Sequence, residues 1–222
     1  MTLSEQEKNV IFQPYGIIIA NGEPCSEELL RDCLGKATIV VVLDAAIERV
    51  LALGIRPTVL LGDFDRDFDH SFYKENDPDL EVVHIINQNK TDLEKALDFL
   101  LQRKILHVDV LWATGRRSDH HFSNISCLVN YRNSLKITLL DDYSKIYLLD
   151  SKYSKWFAAD TIISLIPLGK VTGVITQNLF YSLENEDLYT GYRMGNSNHV
   201  LQDGMVTIEH ETGDLLLMEC KD

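Results

Sequence analysis

The sequence predicts an α/β domain with a parallel, doubly wound sheet over residues 1–145, followed by an all-β sandwich or barrel domain over residues 146–222. Three observations predict it. Up to about Asp142, short β-branched runs alternate with longer segments of helical period, the pattern of a parallel sheet flanked by helices. Beyond Asp142 the helical period disappears, and short strand-like runs follow one another across Gly- and Asn-containing turns. No low-complexity linker separates the halves, which are therefore expected to pack against each other.

Strands are expected at residues 16–20, 38–43, 58–61, 81–86 and 108–112, each short, apolar and closed by Asn, Gly or Asp. Helices are expected between them at residues 26–34, 45–53, 92–103 and 119–131, where apolar residues recur at helical spacing. In the second half, strands are expected at residues 145–149, 161–166, 171–176, 188–192, 205–209 and 215–219. No internal repeat is present.

The 222 residues are 45% apolar, enough for real cores, and carry a net charge of −13. That charge argues against a broad electrostatic footprint on nucleic acid or an anionic membrane. An anionic ligand such as a nucleoside triphosphate then needs a divalent metal and a few placed Lys or Arg. Cys25, Cys33, Cys127 and Cys220 form no CxxC pair and no regular framework, which fits a reducing compartment. The polar N-terminus does not resemble a secretory signal, and no apolar run is long enough for a membrane helix, so the cytoplasm is the expected location.

In an open parallel sheet, ligands bind beyond the carboxyl ends of the strands. Those positions hold Asn21-Gly22, Asp44, Gly62-Asp63-Phe64-Asp65, Thr91-Asp92 and Thr114-Gly115-Arg116-Arg117. Asp63 and Asp65, two apart in extended chain, put both carboxylates on one side, where a hard cation such as magnesium would bridge them. The same residues also read as an acidic turn, and Asp67 and Asp69 blur the signal. Asp92 on its own reads as structural, since Thr91-Asp92-Leu93-Glu94 is a capping box. Lys95, by itself, reads as a solvated helix charge. The run from Gly115 to His120 enters a helix, where free N–H groups and the guanidinium groups of Arg116 and Arg117 would hold phosphate oxygens. His120 and His121 read either as bases or as hydrogen-bonded helix-start residues. No Walker A segment, GxSxG elbow or HExxH pattern is present. The residues alone thus indicate an acidic α/β nucleotide or phosphate site with magnesium.

As an ordered set these segments resemble the thiamine pyrophosphokinase family over nearly the whole chain. The set comprises Asp44-Ala45-Ala46, Leu53-Gly54-Ile55-Arg56-Pro57, Gly62-Asp63-Phe64-Asp65, Lys90-Thr91-Asp92, and Gly115 with Arg117-Ser118-Asp119-His120 and Asn124. It continues with Ser164-Leu165-Ile166-Pro167-Leu168-Gly169, Gly173-Val174-Ile175-Thr176, Leu179-Phe180-Tyr181-Ser182-Leu183 and Gly195-Asn196-Ser197-Asn198.

The resemblance implies transfer of the diphosphate of ATP to thiamine, in a homodimer with the active site between subunits. It implies magnesium held by Asp63, Asp65 and Asp92, with Arg117 beside them as a catalytic group. Arg117, Asp119 and Asn124 fall where the family contacts the nucleotide, and Gln88 matches an active-site glutamine. Asp44, Lys95, Gly115, Arg116 and His120 complete the expected ATP-binding set. Tyr181 matches the stacking partner of thiamine, with Thr176, Ser197 and Asn198 as polar contacts; without the family, Tyr181 reads equally as a strand aromatic. The chain departs from the family pattern at Ala45, Asn89 and Arg116, where glycine, an acid and glycine are usual. Rival readings are a pyrophosphokinase for another heterocycle such as a pterin, a magnesium phosphohydrolase with Asp63 as acceptor, and a silent thiamine or thiamine diphosphate sensor.

Overall fold

The computed structural model describes residues 13–64 and 70–221. The first half is built from β1 (Tyr15–Ile19), α1 (Glu27–Leu34), β2 (Ile39–Leu43), α2 (Ile47–Ala52), β3 (Val59–Gly62), α3 (His70–Asn76), β4 (Glu81–His84), α4 (Asp92–Gln102), β5 (His107–Leu111), α5 (Ser118–Ser126) and β6 (Lys136–Leu140). Six parallel strands pair in the order β4-β3-β2-β1-β5-β6. The strands are continuous apolar runs because the sheet is covered on both faces. Ile17 and Ile19 pack with Leu30, Ile47 and Val50 of α1 and α2, while Ile18 packs with Leu93, Leu97 and Leu100 of α4. This is the doubly wound arrangement that the alternating sequence predicts.

Strand order places the functional edge. From β1 the chain works outward to β4, then crosses back through α4 to lay β5 on the other side of β1. The reversal opens a crevice at the carboxyl ends of β1 and β5, where doubly wound sheets bind their ligands.

The second half contains β7 (Ser144–Leu148), β8 (Lys152–Phe157), β9 (Ile162–Gln177), β10 (Glu184–Tyr189), β11 (Gly195–His199), β12 (Gly204–Glu209) and β13 (Thr212–Cys220), with antiparallel pairing throughout. β7 is antiparallel to β6 and also pairs with β13, so the sheet runs on from one half into the other. The boundary expected after residue 145 falls inside this strand. The core of this half gathers Phe157, Leu165, Val174, Val206, Ile208 and Leu217.

Two of the expected strands, 161–166 and 171–176, are one strand, β9. It bends around Pro167, Gly169 (φ +87°) and Gly173 (φ +65°) rather than ending there. Its first part lies between β13 and β11, its last part between β10 and β12, so β9 passes between sheets as a corner strand. The strand expected at 188–192 forms earlier, at Glu184–Tyr189, because Thr190–Tyr192 make the turn that returns Arg193 onto Tyr189. The helix expected over 119–131 divides into α5 and a 3-10 segment, Cys127–Tyr131.

Candidate active site

Residues following β1, β2, β3 and β5, together with the start of α4, enclose a cleft of about 430 Å³ at the crevice. Its floor is set by the loop after β1. Gly22 donates its N–H to Trp112 O at 2.6 Å, and Glu23 to Thr114 O at 2.9 Å, so this loop stays laced to the loop after β5. Arg49 of α2 pins it from below, donating to Asn21 Oδ1 at 2.6 Å and Gly22 O at 3.1 Å while lying over the Trp112 ring.

Three carboxylates converge on one wall. Asp44 leaves β2 in a 3-10 turn (Asp44–Ala46), where its side chain accepts from the Ala45 N–H. Register pairs Leu43 with Leu61, which brings Asp44 beside Gly62. A Cβ on Gly62 would stand 2.7–2.9 Å from the Asp44 side chain, so glycine is what lets that carboxylate cross β3. Asp63 follows, its carbonyl in a 2.9 Å hydrogen bond with His84 Nε2. Asp92 is the first residue of α4, held by the capping box that the sequence predicts: Thr91 Oγ1 accepts from Glu94 N, and Glu94 accepts from Thr91 N.

One oxygen each from Asp44, Asp63 and Asp92 lies within 4.8 Å of the others. Partly buried, hard oxygen donors of this kind suit magnesium, which usually takes one or two carboxylates and completes its shell with phosphate and water. Burial pushes the Asp44 carboxyl above the ordinary carboxylate range; the Ala45 N–H opposes this, while the Asp92 and Asp63 charges add to it. Lys95 stands among them, only 2% exposed, donating to Asp63 Oδ2 at 2.9 Å and Asp92 Oδ1 at 2.8 Å. Burial alone would lower the pKa of its ammonium, but the hydrogen bonds to Asp92 and Asp63 reverse that, and Lys95 titrates above an ordinary lysine.

The opposite wall is the turn into α5. Gly115 takes φ +71°, and a Cβ on it would meet Glu23 Cβ at 2.6 Å. Arg116 follows at φ +52°, the left-handed region that a glycine there would occupy without strain. Gly115, Arg116, Arg117, His120 and Asn124 all border the cleft. Asn124 also anchors the strand end, donating to Ala113 O at 2.8 Å. Asp119 is turned to Arg117, accepting from Nε at 3.1 Å and from Nη2 at 2.5 Å, and this pairing holds its carboxyl down at about 2.

The expected site residues therefore divide. Asp44, Asp63, Asp92, Lys95, Gly115, Arg116, Arg117, His120 and Asn124 share one cleft, whereas Asp65 lies outside the described residues. Gln88 is exposed in the turn after β4 and does not border the cleft; Asp119 reaches it only through Arg117. Asp44 joins the carboxylate cluster itself, a role that reading along the chain missed because it depends on the β2–β3 register. Arg49 carries no local signal for its place under the loop.

The four residues expected to meet thiamine lie in the second half, and none borders this cleft. Asn198 clamps the Tyr181 backbone, accepting from its N–H at 3.0 Å and donating to its carbonyl at 2.8 Å. Tyr181 is 64% exposed, and its ring stands edge-on to Phe180. Thr176 is buried and accepts from Leu183 N at 2.9 Å, while Ser197, at φ +56°, donates its N–H to Ser164 Oγ.

Comparison with known proteins agrees with this fold. The family pattern described as "Thiamin pyrophosphokinase, catalytic domain" matches residues 30–139, and "Thiamin pyrophosphokinase, vitamin B1 binding domain" matches residues 152–215. The chain is 29% identical over 197 residues to Thiamin pyrophosphokinase 1 of Caenorhabditis elegans, covering 81% of this chain and 79% of the relative. It is 26% identical over 219 residues to Thiamine pyrophosphokinase of Bacillus subtilis (strain 168), covering 92% and 98%. The crystal structure of thiamin pyrophosphokinase from Geobacillus thermodenitrificans superposes with a TM-score of 0.79 at 26% identity, over 94% of this chain and 98% of that one. The α/β half carrying the carboxylate cleft and the β half following it each match their own part of one family, and the chain belongs to the thiamin pyrophosphokinase family.

Proposed function

We propose that the protein is an ATP-dependent thiamine pyrophosphokinase, moving the terminal diphosphate of ATP onto the hydroxyl of thiamine and releasing AMP. The observation that carries the reading is the meeting of Asp44, Asp63 and Asp92 across a switch-point cleft from the Arg116-Arg117 turn. Carboxylates on one wall and guanidinium groups on the other are what a metal-bound polyphosphate requires of an acidic protein. The match to a vitamin B1 binding domain favours thiamine over a pterin as acceptor.

Asp44, Asp63 and Asp92 would hold magnesium, joined by Asp65, and when bound the ion supplies neutralising charge to the phosphate oxygens. The chain's own contribution is positional. Arg116 and Arg117, beside the N–H groups opening α5, hold and orient the phosphates and stabilise the charge gathering on AMP. The thiamine oxygen forms its bond to the β-phosphorus, and the bond from that phosphorus to the bridging oxygen of AMP breaks in line with it. Asp92, or Asp65 through water, takes the hydroxyl proton.

The residues assigned to thiamine stand away from the walls of the cleft in the same chain, which supports a homodimer whose partner copy brings Tyr181 to the phosphates. Among the described residues, no helix is long and apolar enough to cross a membrane. We place the enzyme in the cytoplasm, acting without nucleic acid or membrane.

Incubation with ATP, magnesium and thiamine, followed by chromatography, is expected to give thiamine diphosphate and AMP in equal amounts. Free phosphate without AMP would indicate the hydrolase, and tight thiamine binding with no turnover would indicate the sensor.

A further inference from the structure

We infer that Lys95 is a resident place-holder cation, one that keeps the carboxylate wall assembled without metal and disfavours a divalent ion that arrives without nucleotide. The inference rests on the cleft being a metal–nucleotide site, and it assigns Lys95 a positioning role instead of direct contact with ATP.

Lys95 is nearly fully buried, and two of its three donors are engaged by Asp63 and Asp92. Asp92 and Lys95 lie three residues apart on α4, a helix whose first turn is fixed by the Thr91–Glu94 capping box, so the pair is preset by the backbone. The neighbouring Lys90 also borders the cleft but is paired with Asp98, whereas Lys95 is the lysine that bonds Asp63 and Asp92. Three carboxylates whose oxygens lie within 4.8 Å repel one another, and the Lys95 charge cancels one of the three. Each carboxylate oxygen that accepts from Lys95 is also less available to a second cation. A free divalent ion meets a site where one carboxylate charge is already balanced and two acceptor oxygens are occupied, whereas an ion arriving with nucleotide brings phosphate ligands, with Arg116, and Arg117 in exchange for Asp119, bordering the same cleft for the remaining negative charge.

A phosphate-contacting lysine and a place-holder predict opposite results for metal binding without nucleotide. In the folded Lys95→Met protein, the affinity for Mn²⁺ alone, read by the loss of free-ion EPR signal, is expected to rise by about 10-fold or more, since a unit charge beside the ion is removed. The metal-free protein is expected to melt lower than wild type, with Mg²⁺ restoring the difference; Lys95→Arg, which keeps the charge, should bind Mn²⁺ as weakly as wild type. Unchanged or weaker Mn²⁺ binding in Lys95→Met overturns the inference. If that variant does not fold, Lys95→Gln replaces it, and if neither folds, tight Mn²⁺ binding by the wild type without nucleotide overturns it. Failure of the underlying metal-site reading has a separate signature: wild type and Asp63→Asn would bind Mn²⁺ equally in the presence of a non-hydrolysable ATP analogue.

Discussion

Asp63→Asn is expected to lower the rate of thiamine-dependent AMP release by about 1000-fold at saturating substrate, leaving the fold intact. The side chain keeps its volume and an oxygen that can accept from Lys95, which retains Asp92 as its charged partner. Relief of repulsion toward Asp44 and Asp92 offsets part of the lost ion pair, so the change in unfolding free energy should stay near about 1 kcal/mol, below the cost of stranding a buried charge. The affected property is charge at the point where the metal-bound phosphates must sit. Steady-state rates across a magnesium series, beside urea unfolding, check both halves of the expectation. Retained activity at saturating magnesium would remove Asp63 from the metal site.

Gly22→Ala should act in the reverse order, through stability first. The new methyl would stand 2.5 Å from Thr114 O and against Trp112 O, both backbone atoms of the loop that Gly22 and Glu23 hydrogen-bond. Backbone cannot swing aside as a side-chain tip can, and Trp112 already sits at φ +56°, so the two loops must part. We expect a loss of about 3 kcal/mol in urea unfolding, accompanied by weaker nucleotide binding because the floor of the cleft opens. A variant of wild-type stability would show that this junction has slack and that its glycine is not required for packing.

The parallel half was legible because its physics is local. Ile17, Ile18 and Ile19 are all fully buried, so β1 has to read as an unbroken apolar run whichever face is considered. β6, β8, β11 and α3 were not foreseen. β8 carries Lys152, Ser154 and Trp156 outward between inward residues, and its charged side chains mask the alternation. β11, Gly-Asn-Ser-Asn-His, has no apolar residue at all and is a strand because β9 offers it an edge. In sequence the bend in β9 reads as a turn, because Pro and Gly punctuate turns more often than corners.

The site divides the same way. Asp63 follows from a strand end, which sequence marks directly, whereas the capping box marks where Asp92 sits but reads it as structural, and only the family resemblance makes it a ligand. That Asp44 reaches them depends on a missing Cβ at Gly62, a neighbour across the sheet rather than along the chain. Lys95 resembled a solvated helix charge because helical spacing says nothing about carboxylates brought from another strand. Gln88, matched by its place after β4, illustrates the converse: position in a motif does not by itself put a side chain on the wall of the cleft.

On this mechanism the cleft transfers a diphosphate in one piece. ATP labelled at the β-phosphorus, incubated with excess thiamine and magnesium, tests it most directly. Direct transfer predicts that the label appears in thiamine diphosphate with an equal amount of unlabelled AMP. Label remaining in ADP, with unlabelled phosphate on thiamine, would show stepwise transfer of γ-phosphoryl groups and contradict the account.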